Sequence, residues 1–238
     1  MNVLMVLPTY NERQNLERVA DGIMRHAFTR LLVVDDNSPD GTGQIADDLA
    51  ARYAGRIEVM HRVGKRGLGL AYVDGLRHAL ATGAEAIGQM DADMSHDPVY
   101  IPDLAKALEN HDLVIGSRYL HGVSVVNWPL HRIALSAFAN RYIRSITGLR
   151  TTDCTSGFRV WRREALARLP LDRARANGYA FLTEMLYQAG RHNFRIGEVP
   201  IVFVERQEGY SKVSQQVLRE SLLTPWRLVA RGGRCRPR

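Results

Sequence analysis

Ile87-Gly88-Gln89-Met90-Asp91-Ala92-Asp93-Met94-Ser95-His96-Asp97-Pro98 is the stretch that decides how this 238-residue chain is read. Its first residues end a buried strand, which breaks into a loop rich in carboxylates. Asp91 and Asp93 stand two apart, so on an extended chain both side chains leave on the same face. One face can then hold one divalent cation. Hard oxygen ligands suit Mg²⁺ or Mn²⁺, ions that keep positions for water or for the phosphates of a substrate. A plainer role fits the same spacing, with Asp91 capping the next helix and Asp93 a solvated loop charge.

Upstream, Val3-Leu4-Met5-Val6-Leu7 is a continuous apolar run closed by Pro8, the mark of a strand covered on both faces. Asn11 is placed to cap a helix in which Leu16, Val19, Ala20 and Ile23 recur at helical spacing. Leu31-Leu32-Val33-Val34 repeats the buried-strand pattern and stops at a turn-rich loop that begins with Asp35-Asp36. Helices are predicted over residues 43–53 and 68–80, and strands over 56–61 and at Val114-Ile115. This alternation predicts a parallel sheet with crossover helices through residue 116. Open sheets of this kind bind ligands beyond the carboxyl ends of their strands. Those ends carry Pro8-Thr9-Tyr10-Asn11-Glu12, Asp35-Asp36, Gly64-Lys65-Arg66-Gly67, Asp91-Ala92-Asp93 and Ser117-Arg118, so polar groups from five segments converge on one rim.

Beyond Arg118 the pattern changes. Leu130–Thr147 reads as a helix whose first half is apolar nearly all round. Such a helix is either buried in protein or set into a lipid interface, and for a chain of this size burial is the expectation. Further helices are predicted over 179–189 and 213–229, the latter kinked or ended early by Pro225, with a strand over 196–204. Lys and Arg exceed Asp and Glu by seven (32 against 25), and Arg227, Arg231, Arg234, Arg236 and Arg238 crowd the end. That basic tail suits either a solvated extension or contact with phosphate, nucleic acid or an anionic membrane. Cys154 and Cys235 have no metal-type spacing, which points to a reducing compartment. No signal peptide and no run of about 18 apolar residues is evident, so the chain is expected not to span a membrane.

Several segments together resemble the inverting family 2 glycosyltransferases, and within them the dolichol-phosphate (polyprenyl-phosphate) mannose synthases. They are Pro8-Thr9-Tyr10-Asn11-Glu12, the run from Val34 to Thr42, Lys65-Arg66-Gly67-Leu68-Gly69, Met90 to His96, Gly116-Ser117-Arg118-Tyr119, Thr155-Ser156-Gly157-Phe158-Arg159 and Gly197-Glu198-Val199-Pro200-Ile201. The likeness runs from about Val3 to about Trp226. It implies an α/β, GT-A-type single domain: a Rossmann-like, mostly parallel sheet flanked by helices, with C-terminal interfacial helices and no transmembrane segment. The catalytic domain would span residues 1–230, with 1–118 the nucleotide-sugar half, 119–230 the acceptor half and 231–238 the basic tail. Pro8, Tyr10, Glu12 and Asp36, with Lys65 nearby, would surround base and ribose. Asp91 and Asp93 would hold the metal and diphosphate, with Ser95 as a third contributor where other members have Gln. Arg118, Arg132, Ser136, Arg206 and Lys212 match positions used for acceptor phosphate or donor diphosphate. On a helix Arg132 and Ser136, four apart, point the same way. The loop through Asp153 departs from the common pattern at Cys154-Thr155-Ser156.

The resemblance implies metal-dependent transfer of a sugar, with inversion, to a polyprenyl phosphate. Mannose from GDP-mannose is the first donor and a UDP-sugar such as UDP-glucose the alternative. A phosphate monoester is already largely anionic at neutral pH, so no strong general base is needed. A sugar hydroxyl as acceptor would need one, and Asp153 is then the candidate. The expected setting is cytoplasmic, peripheral on the inner face of the membrane, held there by the surface itself or by a separate membrane-anchoring protein. A nucleic-acid-binding module is the third alternative, but the aromatic interleaving of a single-strand groove is missing.

Overall fold

The apolar run at the N-terminus is a strand covered on both sides. In the computed structural model, which describes residues 1–64, 67–171, 179–205 and 215–235, β1 (Val3–Thr9) is buried at every position. It is followed by α1 (Leu16–Met24), β2 (Thr29–Asp35), α2 (Thr42–Arg52), β3 (Ile57–His61), α3 (Leu68–Ala81) and β4 (Ala86–Gln89). Then come α4 (Ile101–Ala107), β5 (Leu113–Ser117), β6 (Val125–Val126), α5 (Leu130–Thr147), β7 (Arg159–Arg162) and α6 (Arg163–Ala167). The described elements end with α7 (Tyr179–Arg191), β8 (Ile196–Pro200), β9 (Phe203–Val204) and α8 (Gln215–Gly232).

Seven strands form one sheet in the order β3-β2-β1-β4-β7-β5-β8, and β6 pairs with β9 in a small second sheet. Side chains alternate along each strand, so β1 feeds two cores. Val3, Met5 and Leu7 pack with α1, α2 and α4, while Leu4 and Val6 pack with α3 and, through Trp161, with α6 and α7. That double burial is why β1 and β2 need unbroken apolar sequence.

The sheet is mostly parallel, as expected, and the expected strands through residue 117 run parallel, but β4 and β5 are not neighbours: β7 runs antiparallel between them. Its sequence, Arg-Val-Trp-Arg, hides a central strand behind charged ends. Arg159 tolerates complete burial because its guanidinium donates to the carbonyls of Ser156, Leu182 and Cys154. Burial pulls its pKa down to about 10, still well above neutrality.

Four further expectations change. Asn11 is not a helix cap; it sits in the left-handed region at φ 59°, which Asn tolerates, and the cap position belongs to Asn15. The strand expected over 196–204 is two, because β8 ends at Pro200 and the chain steps across to pair with β6. Of the kink or early end expected at Pro225, the early end does not occur, since α8 continues to Gly232. The basic tail is docked as far as Cys235, whose buried N–H donates to Thr147 O at 2.8 Å, while Arg234 donates to Ser145 O at 2.9 Å. Residues 236–238 lie outside the described residues.

Helix α5 has the predicted ends but not the predicted surroundings. Its buried side chains all belong to its second half: Asn140, Ile143, Ile146 and Thr147. Leu130 is 84% exposed, Leu135 57% and Phe138 59%. In the neighbouring α8, Leu222, Leu223 and Trp226 are exposed as well, and the two helices are joined where Trp226 Nε1 donates to Tyr142 OH at 2.8 Å and Tyr142 donates to Leu222 O at 2.9 Å. Exposed apolar side chains grouped in this way mark a surface that meets something apolar. Among the described residues, no helix is long and apolar enough to cross a membrane.

Candidate active site

The strand order reverses between β1 and β4, and an open sheet makes its ligand crevice at such a switch, beyond the carboxyl ends of the strands. Both ends lie there together: Val6 pairs with Gln89, and Met90 N–H still reaches Val6 O. The Asp91–Asp93 loop therefore opens directly at the crevice. Asp93 Oδ1 accepts from both the backbone N–H and the hydroxyl of Ser95, a tight turn that fixes its orientation. Met94, next in the turn, takes φ 62°. Ser95, expected as a third metal contributor, is almost fully buried, as is Asp93, and its hydroxyl is engaged by Asp93 Oδ1.

Asp91 is partly open to solvent and is held from below. Tyr72 OH lies 3.1 Å from its Oδ1, and the Asp91 N–H donates to His96 Nδ1 at 3.4 Å. That bond requires His96 Nδ1 to be unprotonated, and burial pushes the imidazole pKa down in agreement. Among the described residues no three His, Cys, Asp or Glu side chains gather into a cage that could hold a metal alone. Two rim carboxylates with the remaining positions left to substrate oxygens fit Mg²⁺ or Mn²⁺, which seldom occupy all-protein cages.

At the neighbouring strand ends, Asp35 accepts from Thr9 Oγ1 at 2.9 Å and from Ser38. Asp36 takes the Arg62 guanidinium on one oxygen and the Gly67 N–H, at 2.9 Å, on the other. Pro8 is buried within β1, Tyr10 follows half-buried, and Glu12 is tied through its N–H to Thr42 Oγ1 and through Oε2 to Asn15. These four expected base-and-ribose positions therefore share the β1 and β2 ends. Lys65, Arg206 and Lys212 lie outside the described residues.

The expected acceptor-side residues meet the acidic loop through an aromatic wall. His96 packs against Phe158 and Phe203, and Phe203 against Trp128, with ring centroids 5.3 to 5.4 Å apart. Arg132 lies over the Trp128 ring at 4.2 Å and pairs with Glu205, while Arg118 lies 5.3 Å from the Phe203 ring. The small β6–β9 sheet sets this register, and Val204 N–H adds a bond to Ser95 O. Ser136, one turn after Arg132 on α5, is half-buried.

Arg118 itself is buried and grips Asp153 with two bonds, Nε to Oδ2 at 2.6 Å and Nη2 to Oδ1 at 2.8 Å, while Nη2 also reaches Thr155. Burial alone would push the fully buried Asp153 carboxyl up, but the Arg118 charge and hydrogen bonds outweigh it and hold it below the usual carboxylate range. Glu198 fastens the same loop by accepting from the backbone of Thr152 and Asp153. Tyr72, Trp128 and Glu205 carry no sequence signal, since each is one ordinary residue in an apolar or mixed stretch.

Comparison with known proteins shows the family and the fold. The family model described as glycosyl transferase family 2 matches residues 5–169. A polyprenol monophosphomannose synthase of Mycolicibacterium smegmatis is 42% identical over 238 residues, 98% of this chain and 89% of that protein. An undecaprenyl-phosphate mannosyltransferase of Micrococcus luteus is 43% identical over 97% of this chain and 96% of its own length. Among solved structures, glucosyl-3-phosphoglycerate synthase from Mycobacterium tuberculosis with Mn²⁺ and UDP-glucose superposes with a TM-score of 0.66 at 22% identity, covering 98% of this chain and 79% of that one. A mannosyltransferase from Pyrobaculum calidifontis with GDP-Man and Mn²⁺ superposes at 0.58 and 19% identity, covering 97% and 74%.

Proposed function

The chain belongs to glycosyl transferase family 2, and from that premise we propose that it transfers mannose from GDP-mannose to a polyprenyl monophosphate, with inversion, at a membrane surface. The observation that carries this reading is the joining of two surfaces on one helix. The N-terminal half of α5 leaves Leu130, Leu135 and Phe138 bare, and the same turns present Arg132 to the aromatic wall shared with the acidic loop. A lipid tail and its phosphate need such a pair of neighbours. The two bacterial relatives are named for the same pairing of mannose with a polyprenyl phosphate, and a mannosyltransferase of the same fold is seen with GDP-Man and Mn²⁺.

In this reading Pro8, Tyr10, Glu12 and Asp36, with Lys65, take the base and ribose, and Arg206 and Lys212 face the donor diphosphate. Asp91 and Asp93 hold Mg²⁺ or Mn²⁺. A bound divalent cation supplies positive charge to the departing diphosphate. Arg118, Arg132 and Ser136 receive the acceptor phosphate, with Arg118 held in place by Asp153. One phosphate oxygen of the acceptor forms a bond to the anomeric carbon as that carbon's bond to the donor diphosphate breaks, and the nucleoside diphosphate leaves. The attacking oxygen is already anionic at neutral pH, its second pKa being about 6, so the protein's task is to align two anions that repel. A hydroxyl acceptor would instead need a base. Asp153 is badly suited to that task, being buried and locked to Arg118.

The test is transfer of label into an organic phase, using the protein with Mn²⁺, polyprenyl phosphate and a panel of radiolabelled nucleotide sugars. Label from GDP-mannose is the expected result; label from a UDP-sugar alone, or from none while a control enzyme uses the same lipid, would overturn the reading. The bare face has its own check. Leu135→Ser with Phe138→Ser removes two exposed apolar side chains, each worth about 1.5–3 kcal/mol when buried, so binding to anionic vesicles should fall by roughly a hundredfold or more. The melting temperature should fall only slightly, because both side chains are more than half exposed and the stacking of Phe138 on Tyr142 lies at the surface. Unchanged sedimentation with vesicles would show that α5 faces something else.

A further inference from the structure

We infer that Tyr72 is a positioning residue for the cation: its phenol fixes the Asp91 carboxylate in the one orientation that serves the donor diphosphate. This rests on the metal-holding role proposed for Asp91. Tyr72 lies in the middle of α3 and is wholly buried, its ring stacked on Phe181 with centroids 5.9 Å apart. Its hydroxyl is shared between Asp91 Oδ1 and Met90 O, both at 3.1 Å. The bond therefore ties the side chain of Asp91 to the end of β4 that carries it.

Three groups enclose the carboxylate. The phenol holds Oδ1, His96 Nδ1 stands 3.7 Å from Oδ2, and Gly157 approaches so closely that an added Cβ would lie 3.2 Å from both oxygens. A Cβ at this position would press on the carboxylate and require it to shift by a few tenths of an ångström. The ring is held in place by Phe181, on which it stacks, and by the apolar side chains packed around α3, so the hydroxyl stays aimed at the carboxylate. Hydrogen-bond partners behind a metal ligand set its orientation, and their loss typically weakens metal affinity by about 10–100-fold.

The test uses the full chain and Mn²⁺, alone and with GDP, followed by electron paramagnetic resonance of the free ion. Tyr72→Phe keeps the ring and removes the bond. It should bind Mn²⁺ with GDP roughly 10–100-fold more weakly and raise the KM for the nucleotide sugar to match. The KM for the lipid acceptor and the melting temperature should stay near those of the parent. Gly157→Ala, which disturbs Asp91 from the other side and leaves Tyr72 intact, should weaken Mn²⁺ binding too. Asp91→Asn serves as the reference. If it loses Mn²⁺ binding while Tyr72→Phe stays within twofold of the parent, the inference fails and the metal role of Asp91 survives. If Asp91→Asn also binds Mn²⁺ normally, the metal role fails and the inference with it. A Tyr72→Phe protein that melts early and loses acceptor and donor affinity alike would reduce Tyr72 to a packing residue.

Discussion

Asp93→Ala is expected to lower kcat/KM for the nucleotide sugar by roughly a hundred- to a thousandfold, the scale seen when a group that stabilises transition-state charge is removed. The fold should survive it. Asp93 is a loop residue whose Oδ1 closes a local turn with Ser95, and losing that turn costs about 1 kcal/mol, not a core. Steady-state kinetics at rising Mn²⁺ separate the possibilities. Loss of activity partly recovered by excess metal places Asp93 at the cation; loss without any metal dependence in parent or variant would remove Asp93 from that role. Arg132→Ala should act on the other substrate, raising the KM for the lipid phosphate with donor affinity little changed.

Arg118→Met has the largest expected effect on stability. It leaves the Asp153 carboxylate fully buried with its charge partner gone, and breaking a buried pair from one side costs roughly 3–5 kcal/mol. For a chain of this length that corresponds to a fall in melting temperature of roughly 10 °C. The pH dependence has a definite sign. In the parent the Asp153 pKa is depressed, so its stabilisation is present above the unfolded carboxylate range and is lost as pH falls through the folded value. In the variant burial raises the folded pKa, and with the guanidinium gone it is opposed only by the N–H groups of residues 118 and 155 and the Thr155 hydroxyl. The penalty is then full at neutral pH and shrinks as pH falls toward about 4, where the unfolded carboxyl also protonates. Denaturant titrations of parent and variant at pH 7 and pH 4.5 measure this. An equal gap at both values would show that Arg118 stabilises by packing against Phe203 and Trp128 instead of by charge. Adding Asp153→Asn to the variant should restore much of the loss.

How much of this could be read in the residues depends on what each position reports. β1 and β2 were legible because burial on both faces forces unbroken apolar runs, and α5 because its ends coincide with Pro129 and Gly148. The acidic loop was legible through its spacing, and the comparisons agree on the family that this loop and its companion segments suggest. β7 was not, since Arg159 and Arg162 are satisfied in part by carbonyl groups of distant segments, at Leu182 and Leu108. The exposure of α5 was not either. A helix apolar on all sides looks the same whether protein or lipid covers it, and the placement of α8 against its second half decides. Tyr72, Trp128 and Glu205 owe their meaning to contacts across the fold, to which a single chain position gives no clue.

The place of β7 in the sheet bears on how the molecule is made. Residues 1–117 supply β1 to β5, yet β4 and β5 touch only through a strand that begins at Arg159. While the ribosome is still extending the chain through α5, the nascent sheet has a slot one strand wide, with the backbone edges of β4 and β5 unpaired and the apolar partners of Trp161 uncovered. Residues 1–117 therefore cannot complete their sheet before β7 arrives. Arrival of four residues, two of them arginines, closes both edges at once.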